Sequence, residues 1–307
     1  MGKKQRAPIS RNARDNLELY AIMLPVIVLI FIFSYVPIYG VLIAFQDYMP
    51  GSPFIGPKVR WVGLKHFEMF VTSFYFPRIL KNTLTLSLLN LAMGFWVPIV
   101  FALLLNEMRS GRARKTMQTI SYMPHFISAV VMAGIVLTFI SADGLVMELT
   151  QFLGIEMRAP SSNADAFKWV YTITNIWKGF GWSSILYLAT ISSIDPELYE
   201  AANIDGATRL KRIRYITLPF LGPLIMIQLI FSIGGLMGSN TELILLLYNN
   251  ATLRSADVIG TYVYREGLVG GRFSFGSAAN LLMTVLSFIL IFSANKVSDK
   301  LTNFSLW

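Results

Sequence analysis

The 307-residue sequence is 54% apolar and only 14% charged, where soluble domains carry roughly a quarter charged residues, and its apolar residues gather into blocks about as long as a bilayer is thick. With no cysteine, disulfides, thiolate chemistry, iron–sulfur clusters and cysteine-based zinc sites are excluded, and two histidines 59 residues apart, His66 and His125, are too few to suggest a metal enzyme. The net charge of +9 fits either nucleic acid or the cytoplasmic loops of a membrane protein, so position has to decide.

In chain order, residues 20–45, 83–105, 119–140, 167–191, 220–241 and 274–295 read as six membrane-spanning helices of 22 to 26 residues. At 1.5 Å per residue each can cross ~30 Å of hydrocarbon. The first follows a basic segment, 1–19, containing Lys3, Lys4, Arg6, Arg11 and Arg14. That layout also fits a signal peptide, but the run is too long for one and lacks a small-residue cleavage site, so it reads as a retained helix. With the N-terminus inside, the cytoplasmic pieces carry 15 Lys and Arg against 8 Asp and Glu, and the outer pieces 10 against 9. The positive-inside rule therefore places both termini, including the tail 296–307, in the cytoplasm. A nucleic-acid partner becomes unnecessary, and residues 20–295 form one transmembrane unit.

Several residues inside this frame invite a role. In the long outer loop 46–82, residues 61–67 suggest a surface helix with aromatic anchors. His125 reads as a helix-packing residue rather than a proton relay, and Asn90 and Gln228 as cross-helix glue. Lys168 can snorkel to the headgroups, but Lys178 lies midway along the fourth span, where an ammonium defaults to a cavity or an ion pair.

The inner loop 192–219 is the most patterned stretch. Asp195 suits a helix N-cap and Pro196 the first helical position, and Glu197 favours the positive end of the helix dipole. A short helix is expected over 196–204, then a reversal at Gly206, then a basic helix from Thr208 towards Pro219. Ala201 and Ala202, flanked by Glu200, make a slim surface able to seat in a groove of another protein.

This string resembles the signature loop of type I ABC importer permeases: Glu200-Ala201-Ala202, Gly206 after three residues, then Ile216-Thr217-Leu218-Pro219. The likeness covers nearly the whole chain. Leu24-Pro25, the run at 35–48, residues 61–67, the stretch 176–182 and Phe275 to Ala279 are similar to the sugar-import branch, nearest to permeases for oligosaccharides released from polysaccharides. The resemblance implies an all-α membrane protein of six transmembrane helices with a cytoplasmic coupling-helix loop. It implies a bacterial plasma-membrane location, a second homologous permease, two ATPase subunits and an extracytoplasmic solute-binding protein. Glu197, Tyr199, Glu200, Ala201, Ala202, Asp205, Gly206, Leu218 and Pro219 would meet the ATPase. The chain has no Gly-x4-Gly-Lys-Ser/Thr loop, so ATP and magnesium are expected on the partner, with no cofactor or metal held here and no catalytic residue.

Sugars bind through C–H faces stacked on aromatic rings and through hydroxyl hydrogen bonds. The resemblance places substrate contacts in the fourth span, at Trp177, Lys178, Gly179 and Trp182, and beyond a break at Gly234-Gly235, at Met237, Ser239, Asn240 and Glu242. Lys178 and Glu242 could instead pair to hold helices together, and Lys178 could suit an anionic sugar. An ion-coupled secondary sugar transporter is the alternative, with Lys178, Glu242 or His125 binding the coupling ion. It would favour inverted repeats and acids within spans, and neither is seen.

Overall fold

The computed structural model describes residues 11–108, 110–302 and 306; most of the basic N-terminal segment, Arg109 and part of the C-terminal tail lie outside them. The described residues are almost wholly helical. By length and composition four helices are apolar enough to cross a membrane: Leu19–Phe45, Phe76–Asn106, Arg209–Met237 and Phe273–Lys300. A bent pair makes a fifth crossing if its two helices form one span, and the helix Phe167–Ser192 is long enough for a sixth but less apolar than the others. Its polarity has a use, since one face lines a cavity.

The first span barely touches the rest of the chain. Every described side chain from Leu19 to Tyr39 is exposed, which costs nothing for apolar residues in lipid because the helix satisfies its own backbone. Its last ten residues tighten into a 3-10 turn, Val36–Phe45, that buries Ala44 and packs on the last helix.

The third span departs from the continuous helix expected over 119–140. It is two helices, Gly111–Phe126 and Ala129–Ile140, meeting at a 102° bend. Pro124 lacks the N–H that would continue the ladder, Ile127 is extended (φ −74°, ψ 133°), and Ser128 starts the second helix by accepting from Val131 N at 3.3 Å. The fifth span also ends earlier than the expected residue 241. The helix Leu218–Gly234 tightens at Gly235–Met237, and Gly238 is extended. Asn240 then caps a separate, buried helix, Thr241–Leu247, accepting from Leu243 N at 3.2 Å.

The surface helix expected over 61–67 is displaced as well. Trp61 pairs in an isolated antiparallel bridge with Gln46, the helix is Lys65–Val71, and its His66 and Phe70 are buried. Beside it, burial pulls the Asp47 carboxyl upward, but the Lys65 hydrogen bond at 3.3 Å and the charges of Lys65, His66 and Arg60 hold it below its ordinary value.

Two further contacts set the positions of the spans. In the connection 242–273, Asp257 is fully buried. Arg265 grips its carboxylate with two bonds of 3.1 and 2.9 Å, Thr261 Oγ1 donates to it at 2.9 Å, and Arg78 Nη2 lies 3.5 Å away. The Asp257 bond raises the Arg265 pKa above its usual value, and Asn82 of the second span donates to the Asp257 carbonyl at 2.9 Å. Nearer mid-membrane, Gly181 crosses the helix Gly111–Phe126 so closely that a Cβ would collide with the Ser121 carbonyl.

Candidate functional site

The inner loop forms as its residues dictate. Asp195 accepts from Glu197 N at 3.0 Å, Pro196 opens the helix Pro196–Ile204, and Gly206 takes φ +71°, where a side chain is strained. The chain then enters Arg209–Arg212 and runs through a widened turn into the fifth span. Glu197, Glu200, Ala201, Asp205, Gly206, Leu218 and Pro219 are exposed, and Ala202 is half-buried. Tyr199 turns inward, its hydroxyl 2.9 Å from Oγ1 of the buried Thr217, so it anchors the helix to its own span.

Sequence reasoning missed the loop's apolar and bracing residues. Leu198, Leu210 and above all Ile204, 87% exposed, present apolar surface beside Glu200. Arg212 bonds Asn203 Oδ1 and lies 3.8 Å from Glu107, at the inner end of the second span, which also faces Arg209 at 3.9 Å. Apolar residues inside a charged loop were the available signal for the first group. Glu107 sits nearly a hundred residues away and offered none.

Near the midpoints of the second and fourth helices lies a cavity of about 590 Å³, walled by the second, fourth and fifth spans and the unwound 238–240 segment. Three amides cross it in series. Asn175 Nδ2 donates to Asn90 Oδ1 at 2.9 Å and Asn240 Nδ2 to Asn175 Oδ1 at 3.4 Å, while Asn240 N donates to the Tyr171 hydroxyl at 3.0 Å. Irregular backbone at this depth is tolerated where it lines such a cavity. Ser87 and Ser239, also on the wall, have buried hydroxyls with no hydrogen-bond partner among the described residues. No side chain lining the cavity is an acid or a base of the Asp, Glu, Lys, Arg or His type.

Of the eight candidate substrate residues, Gly179, Trp182, Ser239 and Asn240 line this cavity, and Trp177, Lys178, Met237 and Glu242 do not. Helical phase explains the fourth span: at 100° per residue the face bearing Gly179, Trp182 and Ser183 puts Trp177 roughly opposite and Lys178 on the flank. Met237 packs on the Phe70 and Tyr262 cluster. Glu242 is exposed, and among the described residues it makes no ion pair with Lys178. Asn90 does bond across spans. Gln228 lines the same cavity, and among the described residues its side chain makes no hydrogen bond to another span. His125 stacks on Trp182.

Residues 94–303 match the model of the family described as binding-protein-dependent transport system inner membrane component. The chain is 42% identical to the polygalacturonan/rhamnogalacturonan transport system permease protein YteP of Bacillus subtilis (strain 168) over 97% of this chain and 92% of that one. It is 41% identical, with a TM-score of 0.84, to a chain of a bacterial ABC transporter involved in the import of the acidic polysaccharide alginate, covering 95% of this chain and 98% of that one. A second structure, of a bacterial alginate ABC transporter in complex with an alginate pentasaccharide-bound periplasmic protein, gives 40% identity and a TM-score of 0.85 over 96% and 99% of the two chains.

Proposed function

The chain belongs to the family of binding-protein-dependent transport system inner membrane components, and from that premise we propose how it moves its cargo. It is a multi-pass permease of an ABC importer for oligosaccharides. In our reading it forms half of the pathway, beside a second related permease, with both termini in the cytoplasm. An extracytoplasmic binding protein delivers cargo to the outer loops. Two separate ATPase subunits, which hold the ATP and magnesium, grip the helix Pro196–Ile204 from inside and rock the spans between inward-open and outward-open states.

The observation that carries this reading is the inner helix itself. Capped at Asp195 and turned at Gly206, it leaves Glu200, Ala201 and Ile204 exposed with no partner surface among the described residues. The cavity supplies the other half of the function, with amide and hydroxyl groups for sugar hydroxyls and Trp182 for a sugar face. The names of YteP and of the alginate importer make fragments of uronate-bearing polysaccharides the first cargo to test. An ion-coupled carrier finds little support, because Lys178, Glu242 and His125 all lie off the cavity wall.

The test reconstitutes the permease pair, ATPases and binding protein in liposomes and offers galacturonate, mannuronate and arabinose oligomers of about two to five units. Uptake is expected to stop when ATP is withheld, whatever ion gradient is imposed. Gradient-driven uptake without ATP would overturn the proposal.

A further inference from the structure

Trp182 is the one large aromatic ring of the fourth span that lines the cavity near its midpoint and stays 46% exposed. An indole has two faces, and the structure covers one. The His125 imidazole lies parallel to it, with ring centroids 4.6 Å apart and planes 2° from coplanar. Phe126 meets Trp182 edge-on at 5.6 Å and stands 5.7 Å from His125. Rings on opposite faces of the indole would stand much farther apart than that, so neither ring lies against the face opposite His125, and Trp182 keeps its exposure while lining the cavity.

The arrangement follows from the backbone. The close crossing at Gly181 presses the helix Gly111–Phe126 against the fourth span, and that helix stops one residue after His125, at the 102° elbow. Had the third span run on straight, its next turns would have passed alongside the fourth span. Instead the last turn ends as a parallel ring beneath Trp182.

We propose that His125 is a positioning residue for cargo: it fixes the Trp182 ring so that its free face stands toward the cavity as a flat platform for one sugar unit. This rests on the reading that the cavity carries cargo. The imidazole touches no sugar; it removes rotamers of Trp182 that would otherwise have to be frozen when cargo arrives, which is how preorganisation improves grip. Offset-stacked aromatic pairs contribute ~0.5–1.5 kcal/mol beyond buried area.

The experiment uses the complete reconstituted transporter and whichever of the galacturonate, mannuronate or arabinose oligomers the wild-type complex takes up fastest. The measured quantity is uptake per ATP hydrolysed, which separates a lost grip on cargo from a general loss of assembly. For His125→Ala the ratio is expected to fall about twofold to twelvefold, the stacking energy expressed as a ratio. His125→Phe, which keeps a flat ring, should recover most of it. Trp182→Ala should fall at least as far, and the double variant no further than Trp182→Ala alone, because His125 acts through that ring.

A wild-type ratio in His125→Ala beside a lowered ratio in Trp182→Ala would overturn the positioning role and leave the cavity reading standing. Additive losses in the double variant, or no recovery in His125→Phe, would overturn it equally. An unchanged ratio in Trp182→Ala would remove the cavity reading and this proposal with it. Should His125→Ala fail to assemble, His125→Gln carries the same expectation.

Discussion

In the orientation proposed above, the outer and inner ends of this molecule are built on opposite plans. Outside, the chain turns around a fully buried carboxylate, Asp257, with Arg265, Arg78 and Thr261 converging on it and Asn82 holding its backbone. Inside, the helix Pro196–Ile204 is held by one hydroxyl pair, Tyr199 to Thr217, and by Arg212 reaching Asn203 and Glu107 at its rim. The outer knot is cross-braced around a buried carboxylate. The inner helix is capped for its own stability but lies open to a partner. A buried charge is tolerable only while every partner stays in place, so the outer end must keep one arrangement, whereas a lightly tethered helix can transmit a push without being part of the packed core.

The largest effect should come from breaking the outer knot. Asp257→Ala takes the shared carboxylate from Arg265 and Arg78 and leaves Arg265 only Glu266 at 3.9 Å; because both guanidiniums are more than a third exposed, the cost should fall below the ~3–5 kcal/mol of a fully buried pair. Thermal unfolding in detergent should show a lower midpoint and little protein should reach the membrane; wild-type melting would mean the knot is ornamental. At the inner end the expectation reverses. Glu200→Lys should leave abundance and melting near wild type while ATP-driven uptake drops by at least about tenfold, the scale of reversing one charge at an interface; Gly206→Pro, which cannot take φ +71° and loses the N–H bond to Asn203, should distort the reversal locally, leave the spans inserted and lower uptake as far. Normal uptake in both variants would defeat the lever reading. The smallest effect sharpens the contrast. Tyr199→Phe removes one hydroxyl pair at ~1 kcal/mol, so it should lower uptake per ATP modestly and leave the melting midpoint almost unmoved. A melting shift as large as that of Asp257→Ala would show the inner helix to be part of the core after all.

The sequence made the inner loop legible because its geometry is local. The Asp195 cap, the Pro196 start and the reversal at Gly206 each depend on neighbours in the chain, and all three stand as expected. Most of the six expected crossings were legible from apolar blocks for a similar reason: four stand by length and composition, and a bent pair makes a fifth if it is one span. The elbow at 127–128 was not, because a proline is tolerated inside a membrane helix and nothing local distinguishes a kink from a 102° break. The cavity fared in between. Asn90 was noticed as a cross-helix bonder, but its partner Asn175 lies in another span, 85 residues away. Lys178 drew attention through its cost, whereas helical phase, set by the Gly181 crossing, decided which side of the fourth span faces the cavity.

The cavity wall offers amides, hydroxyls and rings but no ionised group among its lining residues. A wall of that kind sorts guests poorly by charge and releases them readily, since no strong attraction needs undoing at each turnover. In the assembly proposed above, discrimination between an acidic and a neutral chain would then fall to the receptor that presents it or to a companion permease across the pathway. This half would serve as a permissive corridor, able to pass whatever of suitable width and hydroxyl pattern has already been admitted.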